Sequence, residues 1–238
     1  MSILIETRRD FIRFTSFEKA FCPTGPGGGV DPTCGSGGTA QPKKLNEKEG
    51  LAVFQWTAEM STSIREADVG DSKASVMAKK ANKILEKALD KLPRYVGRTY
   101  RGLVDSRGTL AGQEVGSVVT VHAKASATKD IKVAGSFSRS LFSAEQAPVI
   151  LSIKSKTSAD IAGYEKPQYR YQKEVVLRKE TQYRVTGKKE MVLDSYYDAP
   201  HKAELIRPGN DPKTWHWGEP PLIQDKPLTV TVIEMEEI

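Results

Sequence analysis

Pro93 separates two hydrophobic rhythms, and that change constrains the fold more than any other feature of the chain. Ahead of it, over 73–92 (KASVMAKKANKILEKALDKL), Val76/Met77, Ala81, Ile84/Leu85, Ala88/Leu89 and Leu92 recur at steps of three and four. That spacing predicts an amphipathic helix. Lys79, Lys80, Lys83, Lys87 and Lys91 fill the other positions as a solvated face, and Pro93 stops the helix. NEKEGLAVFQWTAEM, starting at Asn46, adds a helical stretch with Leu51, Phe54 and Met60 as its apolar marks. After Pro93 the period becomes two: RTYRGLV, SVVTVHAKA, VILSIKS, EVVLRKETQYRV and LTVTVIEM are β-branched runs between turn signals. Helices first and strands afterwards predict an α+β domain with a mostly antiparallel core.

The chain has 238 residues, enough for one domain with appendages, and with 38% apolar residues it can bury a sizeable core. Residues 1–45 read as an arm. Within it CPTGPGGGVDPTCGSGGTAQP, at 22–42, is too rich in Gly and Pro for a helix or a central strand. Gly25, Gly27, Gly28 and Gly29 lack the following lysine of a phosphate-cradling P-loop. Cys22 and Cys34 flank this turn; they would close it as a disulfide if oxidised and stay thiols in a reducing cytosol. Neither they nor the scattered His122, His201 and His216 have metal-ligand spacing, so no metal is expected. Residues 46–238 read as the folded domain, with 195–227 a long insertion before the last strand.

No stretch approaches the roughly 18 apolar residues of a membrane span, and the N-terminus lacks the order of a signal peptide. The expectation is a cytoplasmic protein, or one delivered into a target cell without a cleaved leader, with no membrane partner. The net charge of +6 suits a polyanionic partner and equally suits plain solubility.

Three polar groups fall on these strands in order. Arg101 lies in RTYRGLV, Ser126-Ala127-Thr128 directly follows SVVTVHAKA at the end of that strand, and Gln172-Lys173-Glu174 stands at the entry to EVVL. If residues 172–174 are strand, Gln172 and Glu174 share a face and Lys173 turns away. An arginine fork matches phosphate. A carboxylate accepts from a sugar hydroxyl and stabilises a cationic sugar carbon.

This order resembles the mono-ADP-ribosyltransferase toxins and effectors of the Arg–Ser–Glu class, here with a Gln-x-Glu turn. The matching residues are Tyr100-Arg101-Gly102, then Ser126-Ala127-Thr128 followed by Val133-Ala134 and Phe137, then Tyr169-x-x-Gln172-x-Glu174. Ser-Ala-Thr stands where the family has Ser-Thr-Ser, and Ala125 where a larger apolar residue is usual. The resemblance implies N-terminal helices packed on a two-sheet, mostly antiparallel β core, with NAD+ as co-substrate. It implies that Arg101 and Gly102 hold the pyrophosphate and ribose side with Thr128 beside them, and that Ser126 orients Glu174 and the nicotinamide ribose. Glu174 bonds the nicotinamide-ribose 2′-hydroxyl and steadies the oxocarbenium ion as nicotinamide leaves. Residues 135–147 would form a loop over the nicotinamide, with Phe137 stacking there or packing in the core, and Arg139 available to phosphate. Tyr169, Tyr171 and Gln172 would meet the acceptor.

The resemblance links Gln-x-Glu to amide acceptors on proteins and to some nucleic-acid acceptors. Tyr169, Arg170, Tyr171 and Trp215-His216-Trp217 would suit single-stranded RNA or DNA, unless the tryptophans merely pack the insertion. The implied protein is a toxin or a phage or host-defence effector with an antitoxin or immunity protein as partner. Two alternatives stay open: an NAD glycohydrolase, and a binding or structural module in which the transferase fold has lapsed.

Overall fold

The computed structural model describes residues 44–57, 60–71, 74–105, 110–139, 147–198, 205–206 and 216–238. All of them belong to one unit, Pro42–Ile238. The Gly-rich turn with Cys22 and Cys34 lies outside the described residues.

Helix α1, Glu47–Trp56, opens on a capping box. Asn46 Oδ1 accepts from the Glu49 backbone at 3.0 Å, and Glu49 Oε2 accepts from the Asn46 backbone at 2.9 Å. Its buried face is Ala52, Val53 and Trp56; Leu51 and Phe54, the expected apolar marks, are only half-buried. Helix α2, Ser61–Asp68, had no periodic signature because Ile64 is its one fully buried residue. Helix α3, Val76–Leu89, is capped by Ser75 and buries Ala78, Ala81, Leu85, Ala88 and Leu89. Lys79, Lys80, Lys83 and Lys87 are exposed as expected. Lys91 is not part of that solvated face: it pairs with Glu49 at 2.6 Å and ties α3 to α1. The three helices pack with Ala159 and Val176 from the strands and with Ile161, just past a strand end.

Strand β1, Arg94–Asp105, follows Pro93. The remaining main strands are β2 (Val118–Val121), β3 (Ala125–Thr128), β4 (Ala147–Asp160), β5 (Glu174–Leu177) and β6 (Thr181–Leu193). The insertion carries β7 (Tyr196–Tyr197), β8 (Leu205–Ile206), β9 (His216–Trp217) and β10 (Leu222–Ile223), and β11 (Leu228–Glu237) follows it. β1 runs antiparallel to β4 along its length, β4 is parallel to β11, β11 antiparallel to β6, and β6 antiparallel to β2. β3 and β5 join the same network on its other side: β1 pairs with β3, β3 with β5, and β5 with the end of β4. The core is thus mostly antiparallel, with helices covering one part of it.

Two runs that read as single strands are broken. SVVTVHAKA splits at His122–Lys124, because the fully buried Lys124 is drawn off the strand line. Its backbone N–H and Nζ both bind Asp68, at 2.9 and 2.8 Å, and Nζ also reaches Asn82 and Glu86. EVVLRKETQYRV splits at Arg178–Glu180, where Glu180 takes a left-handed φ of 56°.

Part of the loop expected at 135–147 is helical. Helix α4 spans Ile131–Ser138, and Asp130 caps it by accepting from the Lys132 backbone at 3.0 Å. α4 crosses β1 at Gly102 so closely that a Cβ there would stand 1.8 Å from the Ala134 carbonyl oxygen. Gly102 is therefore what permits that crossing. In the insertion, β7 pairs with β10 and β8 with β9; Trp215 lies outside the described residues. No helix among the described residues is long and apolar enough to cross a membrane.

Candidate active site

Strand register brings the three sequence landmarks together. Tyr100 of β1 stands opposite Thr128 of β3, and Thr128 stands opposite Glu174 of β5. Arg101 follows Tyr100, and its Nη1 donates to the Ser126 carbonyl oxygen. Arg101, Ser126 and Glu174 line one cleft of about 450 Å³.

Glu174 is almost wholly buried, 7% exposed. Burial raises its pKa to about 7, because a carboxylate loses hydration there. Hydrogen bonds from the Ser126 side chain and from Trp56 Nε1, the latter at 3.0 Å, act the other way, as does the Arg101 charge more weakly. Burial also lowers the Arg101 guanidinium to about 10; Arg65 on α2 adds to this and Glu174 opposes it. Arg101 still carries its charge at neutral pH. The pair presents a positive fork and a titratable carboxyl in a sheltered, low-dielectric cleft.

Gln172 and Glu174 both line the cleft, but not through strand alternation. Gln172 ends a 3₁₀ turn, Pro167–Gln172, and Lys173 takes a left-handed φ of 46° before β5 begins. The junction is held by Thr128, whose hydroxyl donates to the Gln172 carbonyl at 2.6 Å and accepts from the Asp130 backbone at 2.9 Å. Thr128 thus lines the cleft and fixes the turn at once.

Tyr169, Gly102 and Phe137 also face the cleft. Phe137 sits in the last turn of α4 and is 48% exposed, so it is not a core residue. Two other expected site residues stand elsewhere. Tyr171 is buried against Tyr197, with ring centroids 5.3 Å apart, and does not line the cleft. Arg139 is also absent from the lining and stands 3.9 Å from Asp198.

Sequence reasoning missed the helical wall: Trp56, Ser61 and Arg65. Trp56 left a usable signal, since a buried indole N–H needs an acceptor and this tryptophan lies mid-pattern in an amphipathic helix. Arg65 left none, being one arginine in a polar stretch.

No protein-family model and no curated protein matches the chain. Solved structures do. The Vis toxin, an ADP-ribosyltransferase from Vibrio splendidus, matches with TM-score 0.53 and 20% identity, over 80% of this chain and 72% of that one. Exoenzyme S from Pseudomonas aeruginosa, solved with human 14-3-3 protein beta and carba-NAD, matches with TM-score 0.52 and 17% identity, over 81% and 74%. The enzymatic component C2-I of the Clostridium botulinum C2 toxin matches with TM-score 0.53 and 14% identity, over 82% and 44%. The chain therefore has the fold of the ADP-ribosyltransferase toxins.

Proposed function

We propose that the protein is an NAD-dependent mono-ADP-ribosyltransferase that moves ADP-ribose to a macromolecule and releases nicotinamide. The observation that carries this is the buried Glu174, held by Ser126 and Trp56 in the same cleft as Arg101. A buried carboxyl sharing a cleft with a half-buried guanidinium suits a ligand that is anionic at one end and becomes cationic at the other. NAD is such a ligand: a pyrophosphate at its centre and a ribose carbon that gains positive charge as the glycosidic bond breaks.

Arg101 spends one N–H on the Ser126 carbonyl, and its remaining donors are available to the pyrophosphate. Gly102 and Thr128 border that end, Phe137 offers a ring to the nicotinamide, and Glu174 accepts from the ribose 2′-hydroxyl. Ionised, Glu174 stabilises the developing charge; the nicotinamide leaves as a neutral base, so the step needs orientation and electrostatics more than an acid. Arg65, on the helical wall, adds positive charge to the same end.

Gln172 and Tyr169 line the same cleft as Glu174 and are assigned to the acceptor. An amide at 172 donates and accepts without attracting a cation, which favours an amide, hydroxyl or base acceptor on a protein or a single-stranded nucleic acid. A toxin or effector of this kind, acting in phage or host defence, would call for an antitoxin or immunity protein.

Calorimetric titration with NAD tests the binding half of this reading. Wild type binds, and Arg101→Lys, which keeps the charge but loses the fork, weakens binding about tenfold or more. Absence of NAD binding by the wild type overturns the reading.

A further inference from the structure

The insertion does more than lengthen the chain before β11. Its β7 and β10 are built against the turn that carries Tyr169 and Gln172. Tyr197 of β7 and Tyr171 of the turn are both buried, and their rings meet at 5.3 Å with an interplanar angle of 59°. Val133 of α4 completes this cluster, and Tyr169 and Leu222 pack on it.

Tyr197 is fixed from several directions. Its backbone stands in register with Leu222, its carbonyl accepts from the Ser136 hydroxyl, and its own hydroxyl donates to Glu219 Oε2 at 2.9 Å. Tyr171 passes this anchoring on, since its hydroxyl accepts from Gln172 Nε2 at 3.3 Å. The far side of the turn is held separately, from β3 and the residue after it: Thr128 bonds the Gln172 carbonyl, and the Lys129 backbone donates to the Lys173 carbonyl at 3.2 Å. Glu174 has a third set of partners, Trp56 and Ser126.

We infer that Tyr197 is a positioning residue for the acceptor: through its ring contact with Tyr171, the insertion sets where Tyr169 and Gln172 stand, and so selects the macromolecule that is modified. The inference rests on the transferase reading above. It separates the two halves of the reaction. Loosening Tyr197 releases the acceptor side of the turn, while Glu174 and Arg101 keep their own partners. NAD binding and cleavage to water then survive, and productive encounter with the acceptor does not.

The experiment compares the full chain with Tyr197→Ala, Tyr197→Phe and Leu222→Ala. The readouts are NAD affinity, nicotinamide release without acceptor, and transfer of adenylate-labelled ADP-ribose to lysate macromolecules over a range of lysate concentrations. For Tyr197→Ala, the lysate concentration giving half-maximal transfer rises about tenfold or more, with NAD affinity and nicotinamide release within about twofold of wild type. Leu222→Ala moves in the same direction by less. Tyr197→Phe keeps the ring and restores transfer, although it loses the Glu219 bond. Retained NAD affinity reports that each variant is folded; if Tyr197→Ala loses it, Leu222→Ala decides. Transfer and nicotinamide release falling together, or transfer unchanged, overturns the inference and leaves the transferase reading standing. Nicotinamide release by the wild type with no labelled macromolecule overturns acceptor selection, and no nicotinamide release at all overturns the transferase reading itself.

Discussion

Trp56 Nε1 donates to Glu174 Oε1 at 3.0 Å, joining residues 118 positions apart in sequence. The last turn of α1 thereby holds the first residue of β5. This bond favours the charged form of a carboxyl that burial pushes the other way. Trp56→Phe keeps most of the packing and removes the donor. The Glu174 pKa then climbs further above its present value of about 7. Nicotinamide release at pH 7 falls about tenfold, and the rate–pH profile moves to higher pH, in keeping with a hydrogen bond to a charged group. A pH profile that stays in place would separate Trp56 from the ionisation of Glu174.

The same carboxyl makes stability depend on pH. Its pKa is raised by burial from 4.5 to about 7, so between those values the folded chain holds a proton that the unfolded chain has released. Stability contributed by this group therefore falls as pH rises through that window. Glu174→Gln removes the dependence. The variant gains on the wild type at pH 8 relative to pH 5, by at most about 3 kcal/mol at roughly 1.4 kcal/mol per pKa unit. Denaturant midpoints at the two pH values measure it, and an equal difference at both would contradict the assigned burial effect.

Gly102 fixes the approach of α4 to β1. An added Cβ would meet the Ala134 carbonyl oxygen at 1.8 Å and the Ser138 nitrogen at 2.8 Å, both backbone atoms that cannot rotate aside. Gly102→Ala therefore displaces α4, costing about 1–3 kcal/mol or more. Because Phe137 rides on α4, the same change weakens NAD binding. Thermal unfolding and NAD titration test the two effects, and an unaltered melting temperature would argue against the close crossing.

Lys124 is buried with Asp68, Asn82 and Glu86 around it, two residues before Ser126. Lys124→Ala removes the buried cation from Asp68, which keeps its bonds from Asn82 and the residue-124 backbone N–H and has Lys179 only at 4.0 Å; breaking such a pair costs about 3–5 kcal/mol. Pairing it with Asp68→Asn recovers a large part of that loss. A double-mutant cycle by chemical denaturation measures the coupling; additive losses would show that the pair is not coupled.

The split into helices ahead of Pro93 and strands after it was legible because three-to-four-residue and two-residue periods are local properties of the chain, whereas α2 and α4 left no such pattern. Arg101, Ser126 and Glu174 were legible because each sits in a recognisable strand context, and the registers Tyr100 to Thr128 and Thr128 to Glu174 then bring them together. The break at His122–Lys124 was not legible, since it depends on a lysine finding Asp68 and Asn82 far away in sequence. The same holds for Tyr171. Its place beside Gln172 suggested the acceptor, whereas the ring of Tyr197, contributed by the insertion, buries it. Gln172 and Glu174 reached the cleft by another route than the one expected, because a left-handed Lys173 ends a 3₁₀ turn where strand alternation had been assumed. Arg65 depended on where α2 docks, which a helix with one fully buried residue does not announce.

The most direct test of the central claim uses NAD labelled in its adenylate part, incubated with cell lysate and either wild type or Glu174→Gln. Products are separated into protein, RNA and DNA, and nicotinamide is measured alongside. The account predicts label on one macromolecular fraction with the wild type and none with Glu174→Gln, whose NAD affinity stays within a few-fold, because Glu174 acts on the developing charge more than on binding. Label transferred equally by Glu174→Gln, or neither label nor nicotinamide from the wild type, would contradict it.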